Sequence, residues 1–91
     1  MTQFRDDEIP YFSWDRPLTV RQIKEQLRAS SGLERVRLAA WIMREAAFAD
    51  VWQFLTPQDA WRQFAETEPF LGRRRAFWKY ILNTWHELGS V

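Results

Sequence analysis

RRRAFWKYILNTWHEL, residues 73–88, opens on three arginines and then places its large apolar residues on one side. At 100° per residue, Phe77, Trp78, Ile81, Leu82, Trp85 and Leu88 fall within an arc of about 140°, the spacing of an α-helix that packs one face on a core. Gly89 follows as a C-terminal stop, and residues 69–72 break the chain ahead of it. No stretch alternates strictly between apolar and polar residues as a half-buried strand does, so the fold is expected to be all-α.

Upstream, helix signals recur at short intervals. Thr56, Pro57 and Asp59 supply an N-cap, a proline at the first helical position and an acid in the first turn, predicting a helix over 57–67 that buries Ala60, Trp61, Phe64 and Ala65. Asp50 is placed to cap a short turn over 51–54. Ser31 and Glu34 have the spacing of a capping box and open a helix over 33–47. Its apolar positions sweep more than half the circumference, which predicts a central helix contacted from several sides. Thr19 and Gln22 form a second capping box, with Leu18 and Ile23 as a hydrophobic staple, at the start of a helix over 19–29. Five helical segments with connections of a few residues thus predict a bundle-like domain over residues 18–91.

Residues 1–17 read differently. They lack helical periodicity and contain Pro10 and Pro17, yet they carry Phe4, Tyr11, Phe12 and Trp14. Disordered tails are poor in such residues, so an extended arm is expected, lying on the helices or on another molecule.

Composition narrows the function. Ninety-one residues suffice for one core. The absence of cysteine rules out a disulfide framework, a thiolate nucleophile and a Cys-based zinc site, and no apolar N-terminal stretch marks a signal peptide or membrane span. A cytoplasmic protein is the expectation. Thirteen basic and twelve acidic residues nearly balance, but bases exceed acids by three over residues 19–47 and again over 70–91, while acids exceed bases by two over 1–18 and by three over 48–69. This balance does not indicate a strongly basic nucleic-acid binder. His86 is the only histidine, and no Gly-rich phosphate loop is present. The sequence therefore indicates no catalytic residue, metal ligand set or cofactor, and a non-enzymatic role is expected.

Two residue groups stand out as candidate sites. Trp41 sits in the polar strip of the 33–47 helix, with Arg37, Arg44 and Glu45 as its helical neighbours, the composition of an interface anchor. It is read either as a partner-binding residue, together with Arg37, Arg44, Tyr11, Phe12 and Trp14, or as a ring covered by the arm of its own chain. Arg73, Arg74 and Arg75 open a helix where cations are disfavoured, so compensation is expected. Either they join Lys79 as a site for an anion or acidic partner, with Arg75, Lys79 and His86 along one flank, or they pair internally with Glu66, Glu68 and Asp59. Residues 18–23 also have the look of a helix-turn-helix positioning helix, with Glu34, Arg35 and Arg37 where base contacts would fall. This reading predicts a DNA-binding autoregulator, against which the modest charge and the apolar 33–47 helix both argue.

Leu18-Thr19-Val20-Arg21, Asp50-Val51-Trp52 with Leu55-Thr56-Pro57, and Leu71-Gly72-Arg73-Arg74-Arg75-Ala76-Phe77-Trp78 together resemble a group of small prokaryotic helical proteins that accompany nucleotidyltransferase-type abortive-infection toxins. The resemblance covers residues 18–89 and leaves out the aromatic arm. It implies an antitoxin or partner subunit of a toxin-antitoxin or phage-defence pair, and it carries over no functional residue.

Overall fold

In the computed structural model, which describes residues 3–91, Thr19 and Gln22 close a reciprocal capping box. The Gln22 N–H donates to Thr19 Oγ1 at 3.2 Å, and the Thr19 N–H donates to Gln22 Oε1 at 2.8 Å. Helix α1 (Val20–Ala29) starts there and buries Val20, Ile23 and Leu27. Next come α2 (Gly32–Glu45), α3 (Phe48–Val51), α4 (Pro57–Arg62), α5 (Phe64–Thr67) and α6 (Arg75–Glu87), with 3-10 turns at Tyr11–Ser13, Glu68–Phe70 and Gly72–Arg74. The fold is all-α, with no strand among the described residues. Its radius of gyration, 12.9 Å, is close to the roughly 12 Å of a single folded domain of this length.

Helix α2 runs through the middle. Val36, Leu38, Ala39, Ala40, Trp41, Ile42 and Met43 are all buried, because α1 covers one side while α5 and the turns before α6 cover another. The spacing predicts a helix to residue 47, but α2 ends at Glu45. The cause is tertiary competition for the bond that would continue it. The Ala47 N–H donates to the Tyr11 hydroxyl at 2.7 Å, and its natural acceptor, the Met43 carbonyl, accepts instead from Trp78 Nε1 at 2.9 Å.

Other boundaries move for similar reasons. Ser31 makes no side-chain capping bond to α2, since Gly32 enters at φ +59°, a left-handed geometry that a regular capping-box turn does not have. The turn expected at 51–54 is present, with the Phe54 and Leu55 N–H groups both donating to the Val51 carbonyl at 3.0 Å, but its helical part is a turn that starts earlier, α3 at Phe48–Val51. Asp50, expected as its cap, sits inside that turn and accepts the Tyr11 O–H at 2.6 Å. Thr56 caps α4 as its sequence implies, with Pro57 at the first position. The single helix expected over 57–67 is split at Gln63 (φ −97°, ψ 3°), which lets α4 pack on α6 while α5 packs on α2. Ala65, expected to be buried, is exposed.

The 73–88 helix also starts later than expected. Gly72 (φ +55°) and the 3-10 turn at Gly72–Arg74 place Arg73 and Arg74 ahead of α6, outside the first turn, where the helix dipole disfavours cations. Its buried side is narrower than the apolar arc. Trp78 and Leu82 are fully buried and Ile81 and Trp85 partly so, whereas Phe77 and Leu88, at the edge of the arc, are exposed. Gly89 (φ +79°) ends the helix in a Schellman turn, its N–H donating to the His86 carbonyl and the Ser90 N–H to the Trp85 carbonyl.

The arm is tied down by backbone bonds. Val20 and Arg21, whose N–H groups are orphaned at the start of α1, donate to the carbonyls of Glu8 and Asp6, each at 2.9 Å. Gln53 grips Phe4 through both backbone groups, at 3.1 and 2.8 Å. Expected to be extended, the arm instead contains the Tyr11–Ser13 turn, which swings Phe12 inward. Residues 1 and 2 of the expected arm lie outside the described residues.

Candidate functional site

The structure gathers Trp41, Arg37 and Arg44 into one place, as their spacing on a helix requires, but not as a surface anchor. Trp41 is 1% exposed. Phe12 from the arm packs edge-on against its ring at 5.4 Å, and the Arg16 guanidinium lies over the ring at 5.1 Å. The reading of Trp41 as an exposed partner-binding residue is therefore corrected for the folded chain. Its polar neighbours on α2 are real, yet the cover comes from the arm. Phe12, 2% exposed, is corrected on the same ground. It meets Phe4, Tyr11, Trp41 and Phe54 at centroid distances of 5.4 to 6.1 Å.

Around Trp41 the side chains leave a pocket of about 150 Å³ lined by Arg16, Arg37, Trp41, Arg44 and Phe70. Arg37 lies over the Phe70 ring at 5.7 Å. Arg44 donates to the Phe70 carbonyl at 3.0 Å and pairs with Glu45 at 2.9 Å. Among the described residues, Arg16 and Arg37 have no carboxylate within 4.0 Å, and the buried indole N–H of Trp41 has no acceptor. A buried donor left unpaired costs about 1–3 kcal/mol. Arg16 belongs to the arm, and nothing in its sequence neighbourhood marks it as a partner of Trp41.

Of the remaining arm residues, Trp14 is 78% exposed and makes no aromatic contact. The Tyr11 ring is half in solvent, but its hydroxyl joins the Ala47 N–H to the Asp50 carboxylate. Burial, followed by the bond to Asp50, raises the Tyr11 pKa above the ordinary phenol value, and the Ala47 N–H partly opposes the rise.

Arg73, Arg74, Arg75 and Lys79 do not form one site. Arg74 turns back onto the end of α2 and donates to the carbonyls of Ala46 and Met43, a cation at the negative end of a helix. Arg75 pairs with Glu68 at 2.8 Å. Asp59 pairs with Arg62 at 2.9 Å and with Arg35 at 4.0 Å, and Glu66 makes no ion pair with the triplet among the described residues. Arg73 and Lys79 are exposed, with no carboxylate within 4.0 Å among the described residues. His86 keeps its helical register with Arg75 and Lys79 on one flank of α6, but on that flank it stacks on Trp61 of α4, with ring centroids 4.3 Å apart. The three arginines are thus predicted to differ in weight. Arg74→Ala should cost about 1.5–3 kcal/mol and Arg73→Ala less than about 0.5, measured by urea unfolding, and equal costs would contradict the assignment.

One surface feature was not anticipated from sequence. Phe77, Tyr80, Thr84 and Leu88 share the outward side of α6 within an arc of about 80° at 100° per residue. Phe77 is 45%, Tyr80 69% and Leu88 73% exposed, and exposed Arg73 lies just ahead of the helix that carries them. Tyr80 lies beyond the apolar arc, and beside Phe77 and Leu88 at its edge it makes an apolar excess over what the core takes up that was legible in the sequence. No helix of the described residues is long and apolar enough to cross a membrane, and none of their His, Asp and Glu residues form a group of three or more that would hold a metal ion. Comparison of the chain with known protein families, with curated proteins and with solved structures returns no match.

Proposed function

We propose that this chain is a non-enzymatic interaction module that docks a protein partner on the outward side of α6. The observation that carries this reading is the stripe of Phe77, Tyr80 and Leu88 left exposed on a well-packed helix, with Arg73 just ahead of that helix. Aromatic residues beside arginine are the composition of an interface centre. In the finer reading that the sequence resemblance implies, the chain is the cytoplasmic antitoxin or partner subunit of a toxin-antitoxin or phage-defence pair. It would neutralise or position a nucleotidyltransferase, with Arg73 facing the acidic groups of its cleft. Purification from the native host tests the reading. A stoichiometric protein partner is expected, and a chain that emerges alone at its cellular concentration contradicts it.

A DNA-binding autoregulator is the less favoured alternative. The helix that would enter a groove is α2, and of its residues 36–43 only Arg37 is exposed. That alternative requires salt-dependent binding to the chain's own promoter, and no binding at low salt removes it.

A further inference from the structure

We propose that the pocket between the arm and α2 binds a phosphate dianion, free or as the terminal group of a small phosphate monoester. The pocket's lining is built of donors. Four of its five lining residues, Arg16, Arg37, Arg44 and Trp41, have side chains whose polar groups only donate, and the fifth is Phe70; no acceptor side chain lines it, and Arg44 is partly engaged by Glu45 and the Phe70 carbonyl. The complementary ligand accepts hydrogen bonds and donates none.

Charge sets its valence. Glu45 compensates Arg44, while Arg16 and Arg37 have no carboxylate within 4.0 Å among the described residues, so the pocket is two positive charges in excess. A phosphate dianion balances that excess, and a single carboxylate does not. Its oxygens match the fork of a guanidinium, which binds such groups through two parallel bonds. Both uncompensated arginines are already oriented by aromatic rings, Arg16 over Trp41 and Arg37 over Phe70, so less side-chain freedom is lost when the anion arrives. The Trp41 N–H has no acceptor in the folded chain, and a phosphate oxygen that reaches it supplies one.

The size is consistent with one such group. The pocket holds about 150 Å³. Beside it, sharing the Arg16 and Arg37 walls, lies an open groove of about 370 Å³ lined also by Gln26, Leu33, Glu34 and Leu38. Glu34 repels a second negative charge there, while Leu33 and Leu38 suit an uncharged organic part.

The test is a ¹H–¹⁵N titration of the full chain with inorganic phosphate and with adenosine 5′-monophosphate, each compared with sodium chloride at equal ionic strength. The Trp41 indole signal is assigned by its loss in Trp41→Phe, or by its proximity to Phe12 protons if that variant is destabilised. Saturable shifts of the Trp41 indole N–H and of the Arg16 and Arg37 Nε–H signals are expected. Arg16→Gln and Arg37→Gln should each weaken binding about tenfold to a hundredfold, and Arg73→Gln should leave it unchanged. Tighter binding of the nucleotide assigns the groove to its organic part, and equal affinity assigns the site to the phosphate alone. Shifts that chloride reproduces, that spare Trp41, or that survive both arginine variants overturn the proposal.

Discussion

Trp78→Ala is expected to be among the most destabilising single substitutions in this chain, removing about 3–5 kcal/mol of its folding free energy. The indole is fully buried, and its N–H donates to the Met43 carbonyl at 2.9 Å. It also belongs to an aromatic cluster with Phe48 and Trp52, at ring-centroid distances of 5.5 and 5.6 Å. Removing so large a core side chain costs about 3–5 kcal/mol, against a total stability of about 5–15 kcal/mol for a domain of ordinary size. Trp78→Phe keeps a six-membered ring but loses the five-membered ring together with its N–H, so an intermediate loss of about 1–3 kcal/mol is expected. Urea unfolding of the two variants checks the ranking, and an alanine variant within 1 kcal/mol of wild type, about the cost of an average substitution, would contradict the role given to Trp78.

Phe12→Ala should cost almost as much, although Phe12 lies in a segment without a regular α-helix. A solvated arm would place the change within about 0.5 kcal/mol of wild type, whereas a core position predicts about 3–5 kcal/mol. At about 4–8 °C of melting temperature per kcal/mol for a domain of this size, the two cases are far apart in a thermal melt. The variant should also open Trp41 to solvent, visible as faster exchange of its indole N–H. A large loss of stability with Trp41 still protected would mean that Phe12 acts through Phe4 and Phe54 rather than by covering Trp41.

What the sequence made legible was local. The Thr19–Gln22 capping box, the Thr56–Pro57 start and the Gly89 stop each depend on residues within four positions of one another, and each is found in the structure. The Ser31 cap failed for an equally local reason, the left-handed Gly32 beside it, but long-range competition decided other boundaries. The end of α2 is set by Tyr11 and Trp78, 36 and 35 residues from their partners, and no periodicity within 33–47 records either. Trp41 shows the same limit. Its helical neighbours Arg37 and Arg44 were readable at their spacing, but the cover of Phe12 and Arg16 depends on the path of the arm. The arginine triplet was readable as a problem of charge placement and unreadable in its solution. Arg74 is compensated by the carbonyls at the end of α2, groups that a search for acidic partners passes over.

With Trp41 enclosed, the docking surface proposed for a partner is the outward side of α6, which includes Tyr80. Tyr80→Glu is suited to probing it, because the side chain is 69% exposed and glutamate is a good helix former. The most direct measurement is the affinity of the partner recovered from the native host for wild type and for Tyr80→Glu, with the melting temperature of each chain recorded alongside. Docking on α6 predicts an unchanged melting temperature and a loss of binding of at least about tenfold, as for a central aromatic at an interface. Equal affinity for the two chains would contradict it.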